Sequence, residues 1–221
     1  MSILFVLLTF LLIMSITYFL RREQPAAAVQ PRVYTQPPAP SMMHDQGFDV
    51  PKGYCFHPGH TWVLDEGRQN ARIGVDSLGA HLLGKIDRVE VVGLNRWVRQ
   101  GQKLCTITRD GLSVDLLSPI EGVVVSVNQD AVKDPNVILN DPYKAGWICV
   151  VKSPEITTNL NNLLQGALVG SWMQNSVRRL STMTSRLGVA AAADGGLPVS
   201  GLLAQLEPGA QRTMIREFFL T

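Results

Sequence analysis

Cys105-Thr-Ile-Thr-Arg-Asp-Gly-Leu-Ser-Val-Asp-Leu-Leu-Ser-Pro-Ile-Glu-Gly122 is the stretch on which the reading of this chain turns. Ile107 and Thr108 lead into Asp110-Gly111, and Val114, Leu116 and the Ser118-Pro119 step lead out again. An Asp-Gly pair between two apolar runs suits a two-residue turn with positive φ, since glycine has no Cβ to clash and aspartate tolerates the left-handed region. The stretch predicts a β-hairpin with its tip at Asp110-Gly111.

On either side of the hairpin the same grammar repeats. Short apolar runs at Thr61 to Leu64, Arg72 to Val75, Asp87 to Val92, Gly122 to Val127 and Trp147 to Val151 are separated by Gly, Asn and Pro. Closely spaced runs with turn signals between them predict an all-β sandwich or barrel. Ser77 to Leu83, with Leu78, Leu82 and Leu83 on one side, predicts a short helix between strands.

Several separated motifs then fall in one order: His60-Thr-Trp-Val63, Ile73-Gly-Val-Asp76, Leu83-Gly-Lys-Ile-Asp-Arg-Val-Glu-Val91, Gly122-Val-Val-Val-Ser-Val-Asn128, Asn140-Asp-Pro-Tyr143 and Gly146-Trp147. Ordered motifs are much harder to meet by chance than one short pattern. Together, from about Tyr54 to about Leu164, they resemble the glycine cleavage system H protein family, a small lipoyl-carrier domain. The resemblance implies a mainly β barrel-sandwich hybrid with a protruding hairpin, and a lipoylated lysine at the tip. Placed without gaps on Ser118-Pro119, that lysine position falls on Gly111, which has no amine to acylate. Neither a lipoyl nor a biotinyl cofactor is therefore expected.

A chain of 221 residues, 46% hydrophobic, can bury the core of an ordinary domain. Its formal net charge of +2 and the absence of long Arg/Lys runs argue against nucleic acid as a partner. Three cysteines, Cys55, Cys105 and Cys149, leave one unpaired and fit neither a disulfide framework nor paired zinc knuckles. Cys105 and Cys149 lie among apolar strand residues, where a free thiol behaves as a small hydrophobe.

Ile3 to Leu20 holds no charge, over about the ~18–20 residues a helix needs to cross a bilayer. Arg21-Arg22 follow it directly and no basic side chain precedes it, so the positive-inside bias places everything after Arg22 in the cytoplasm. A cleaved signal peptide would carry its positive charge before the apolar run. The expected organisation is a single-pass transmembrane anchor at 1–22, a Pro-rich linker at 23–52 and the H-like domain at 53–155. A C-terminal helix at 156–187 and a connector with a short helical tail at 188–221 complete it.

Few residues invite chemistry. Cys55, His57 and His60 are weak zinc candidates for want of a fourth ligand, and the resemblance gives His60 a packing and capping role instead. Asn128, Asp130, Asp134 and Asp141 lack the spacing of a calcium loop and read as turn starters. Lys85, Lys103, Lys133, Lys144 and Lys152 could each replace a lost acceptor, but none sits at the tip in sequence. No nucleophile triad or phosphate-cradling loop emerges, so the chain is not read as an enzyme.

After Ser153 apolar residues recur at three- to four-residue steps, from Ile156 through Leu163, Leu164, Leu168, Trp172 and Val177 to about Leu187, which predicts one helix. Pro208 after Glu207 is placed to start another. Trp172, Met173, Phe218 and Phe219 lie outside the H-like part and are the expected anchors for a protein partner; packing on the chain's own domain is the competing use. The expectation for function is a membrane-anchored, non-lipoylated H-like domain acting as a binding or scaffold subunit. A true lipoyl carrier is the first alternative. An efflux-type membrane-fusion adaptor is the second, although such adaptors split the hybrid motif with a long helical hairpin.

Overall fold

The computed structural model describes residues 2–22, 40–45, 47–187 and 199–221. The chain divides into two compact units, Met1–Tyr34 and Thr35–Thr221. The first contains helix α1 (Ser2–Arg22), whose described side chains, Phe5 to Ile16, are all exposed. Among the described residues no helix is long and apolar enough to cross a membrane, so the anchor expected from the sequence gains no support from the structure.

The second unit opens with a hairpin, β1 (Met42–Asp45) and β2 (Phe48–Pro51), inside the range read as linker. The linker expectation is corrected at its C-terminal end. Gly47 turns the chain at φ 85°, and Phe48 and Val50 alternate inward, with Phe48 edge-on to His81 at 5.4 Å. Two inward side chains are too short a pattern to stand out beside the prolines upstream.

Strands β3 (Cys55–His57), β4 (Thr61–Asp65) and β5 (Asn70–Val75) follow, then α2 (Ser77–Leu83), β6 (Arg88–Val91), β7 (Trp97–Val98), β8 (Lys103–Arg109), β9 (Leu112–Leu117) and β10 (Gly122–Val127). Short helices α3 (Gln129–Lys133) and α4 (Val137–Asn140) lead to β11 (Cys149–Lys152). The larger sheet runs β3-β4-β5-β11-β10-β7 and the smaller β6-β8-β9. Every predicted strand and the predicted helix are present within a few residues.

Between the sheets lie Val63, Ile73, Val124 and Cys149 of the larger and Val89, Cys105, Ile107, Val114 and Leu116 of the smaller, all buried. Burial pushes the Cys105 thiol up to about 12 and raises Cys149 strongly, so both are inert apolar fillers. Trp62 is fully buried and its indole N–H donates to the Val75 carbonyl at 2.8 Å. Its ring lies over Gly74, where any Cβ would overlap it.

The predicted single helix over 156–187 is two helices, α5 (Ile156–Asn161) and α6 (Ala167–Arg186). The break has a cause in hydrogen bonding. Leu164 exchanges both backbone bonds with Phe56, each 2.8 Å, extending the larger sheet at β3, and Gly166 at φ 58° restarts the helix. A 3-10 turn (Leu202–Gln205) and α7 (Pro208–Phe218), with Pro208 at its start, form the tail.

The expected exposure of the partner anchors is also corrected. Met173, Phe218 and Phe219 are 0%, 1% and 0% exposed, and Trp172 is half-buried. His60 stacks on Trp172 at 5.0 Å and lies 5.7 Å from Phe218. The tail completes the domain's own core. Phe218→Ala is expected to cost about 3–5 kcal/mol in denaturant unfolding, as for other buried aromatics. A chain ending near Gln165 should melt early or aggregate; unchanged stability in both variants would return these residues to the surface.

Candidate functional site

The hairpin tip is built as its sequence dictates. Arg109 pairs with Leu112, leaving two loop residues, Asp110 at φ 46° and Gly111 at φ 80°, the combination of a tight I′ turn. Gly111 is exposed, with open space where a Cβ would stand. Room for a side chain exists there; the positive φ is what favours glycine.

Three contacts hold this tip. The Asp110 backbone N–H donates to the Asp87 carboxylate at 2.8 Å. The Arg109 guanidinium donates to the Leu83 carbonyl at 2.9 Å and to the Gly201 carbonyl at 3.3 Å. Gly201 in turn donates its N–H to the His81 carbonyl at 2.8 Å. Gly84 and Gly201 flank the guanidinium so closely that a Cβ on either would run into it. The C-terminal segment and the end of α2 thus clasp the hairpin through one arginine.

Sequence reasoning missed this clasp, because Arg109 and Gly201 lie far apart in the chain and neither belongs to a motif. It named Lys85 among the possible acceptors but set it aside as distant from the tip in sequence. The short loop after α2 brings the exposed Lys85 amine to 3.5 Å from Asp87, the residue that holds the tip. Lys103 lies at the hairpin base, paired with Asp115 at 2.9 Å. Lys133 and Lys152 are exposed on α3 and β11, and Lys144 is half-buried before β11.

The zinc candidates are put to other uses. His60 Nδ1 meets the Asp76 carboxylate at 2.7 Å, both buried. His57 Nδ1 accepts the Gly59 N–H at 3.0 Å, and burial followed by the nearby His60 lowers its pKa. Cys55 lies 3.9 Å from the Gln165 amide oxygen, and burial, then Asp65, raises its thiol pKa. Among the described residues no group of three or more His, Cys, Asp or Glu could hold a metal ion. Asn128 caps α3, as its turn reading requires.

The glycine cleavage H-protein family matches residues 54–175, more than half of the chain. The chain belongs to that family. The glycine cleavage system H protein of Xylella fastidiosa is 32% identical over 114 residues, covering 51% of this chain and 87% of that protein. That of Idiomarina loihiensis is 29% identical over 116 residues, covering 52% and 89%. The crystal structure of a glycine cleavage system H protein from Mycobacterium marinum superposes with a TM-score of 0.50 at 24% identity, over 57% of this chain and 98% of that one. The last supports the fold alone.

The tip geometry yields a pH dependence. The hydrogen bond from Asp110 is the main reason the Asp87 carboxyl sits below the ordinary aspartate range; it outweighs the opposing desolvation, with lesser help from Lys85 and then Arg109. A carboxyl lowered on folding contributes above its unfolded value, about 3.9, and that contribution fades as pH falls through the lower folded value. The Asp110 amide resonance is expected to stay constant from neutral pH to about 4 and to titrate only below it. A midpoint above that value, or no change in Asp87→Asn, would show that the bond does not hold the tip.

Proposed function

We propose that this H-family chain is a membrane-anchored, non-lipoylated domain that works by binding, as a non-catalytic scaffold subunit of a protein complex. The observation that carries the reading is the tip. Gly111 occupies the acceptor position, and the hairpin around it is clasped by Asp87, Leu83 and Gly201. A carrier must present an acylated lysine whose long side chain swings between active sites, and a tip without an amine cannot supply it. Family membership does not transfer that chemistry when the residue carrying it is missing.

The anchor is proposed from Ile3 to Leu20, and the charge of Arg21-Arg22 supports a cytoplasmic domain. The tail's docking moves the proposed partner surface. Of the four residues first considered, Trp172 keeps accessible surface, and Leu168, four residues earlier on α6, is 61% exposed. An aromatic and an aliphatic side chain one turn apart make a compact anchor for another subunit.

A second reading, a working lipoyl carrier, is favoured by one observation: Lys85 stands beside the tip, exposed. Intact-mass analysis of the native protein separates the two. The scaffold reading expects the unmodified mass; a lipoyl increment mapped to Lys85 would establish the carrier. Protease added to intact cells is expected to leave the domain untouched, whereas its digestion would place it outside the cytoplasm.

A further inference from the structure

The outer face of the hairpin sheet and helix α7 bound an open groove of about 860 Å3. Small-molecule sites commonly occupy roughly 300–1,000 Å3. The two acids on the sheet side are already engaged. Glu90 pairs with Arg88 at 2.9 Å, and Asp115 receives Lys103 at 2.9 Å and the Thr106 hydroxyl at 2.7 Å. Burial alone would raise the Asp115 pKa, but the bonds from Lys103 and Thr106 outweigh it and hold the carboxyl below its ordinary range. At neutral pH it stays ionised and neutralises Lys103.

The helix side is different. Arg212 and Arg216, exposed and one turn apart on α7, both line the groove and form no ion pair among the described residues. Like charges four residues apart on a helix repel, and each guanidinium is a planar fork matched to paired oxygens of carboxylate or phosphate. Ser113 of β9, exposed and 3.4 Å from the Thr108 hydroxyl, lines the same groove. Two unneutralised cations sharing a groove with a hydroxyl form a site for an anion with more than one charge.

We propose that this groove binds a small metabolite carrying a doubly charged oxyanion, a phosphate monoester or a dicarboxylate, held by Arg212 and Arg216 with Ser113 donating from the hairpin. A ligand so placed bridges α7 to β9. It therefore fastens the tail to the hairpin and couples its concentration to the stability of the clasp.

The full chain, solubilised in detergent at constant ionic strength, is titrated calorimetrically with inorganic phosphate and with succinate, and its thermal unfolding is followed alongside. At least one dianion is expected to bind saturably near one per chain and to raise the melting temperature. Phosphate binding assigns the phosphate ester, succinate binding the dicarboxylate. Arg212→Ala with Arg216→Ala should weaken binding about tenfold or more, as expected for lost charge-assisted bonds. Arg178→Ala, at an exposed site on α6, should leave binding unchanged. If the double alanine variant unfolds, Arg212→Gln with Arg216→Gln decides by the same criterion. No saturable binding of either dianion, or equal binding by the double variant, overturns the proposal.

Discussion

One buried carboxylate joins the parts of this domain that the chain keeps apart. Asp76 follows β5, and its two oxygens point in different directions. Oδ1 accepts the Gly79 N–H at 2.7 Å and caps α2, while Oδ2 meets His60 Nδ1 at 2.7 Å. The turn is too crowded for a side chain at position 79, where a Cβ would press on Val75 and His60. His60 itself is held at φ 60°, a conformation that needs support from its surroundings. Losing either partner leaves a buried polar group unmatched, a penalty of about 1–3 kcal/mol.

From His60 the constraint passes outward by packing. Its ring is the surface against which Trp172 stacks and Phe218 and Phe219 close. Arg179 on α6 adds a bond to the Glu217 carbonyl at 2.8 Å, fixing the two C-terminal helices to each other. Once α7 is seated, the 3-10 turn before it comes to rest beside the end of α2, and Gly201 is in place to receive Arg109. The position of the hairpin tip is thus linked to a cap at the other end of α2. The His60–Asp76 contact is connected to Asp110-Gly111 by two routes, along α2 to the Leu83 carbonyl and through the tail to Gly201.

The parts of this arrangement that sequence made legible are those whose cause is local. Asp110-Gly111 announces a tight turn because backbone sterics permit few residues to occupy two positive φ angles in succession. Pro208 announces a helix start because it lacks the N–H that position leaves idle. The split at Leu164 was invisible, since Leu163 and Leu164 keep helical spacing while the Leu164 backbone is claimed by Phe56 across 108 residues. The direction in which the tail faces was equally hidden. Apolar periodicity specifies that a helix buries a face, but the same stripe serves a partner or the chain's own core, and contacts distant in sequence, with His60 and Phe56, decide between them.

The clasp bears on how a family built around a mobile arm could yield a binding module. In an arm, the tip's freedom is the function, and contacts that order it work against delivery. In a scaffold the balance reverses: a surface ordered in advance has less conformational entropy to lose when a partner arrives. Here glycine at 111 and a guanidinium seated between two glycines act in the same direction. In the proposed reading, the first leaves no amine at the tip to acylate and the second adds bonds that order it. Restoring a lysine at 111 alone would supply an amine on a tip still bonded to Asp87, Leu83 and Gly201. The proposed scaffold role therefore rests on two separate features of the tip, and altering one leaves the other in place.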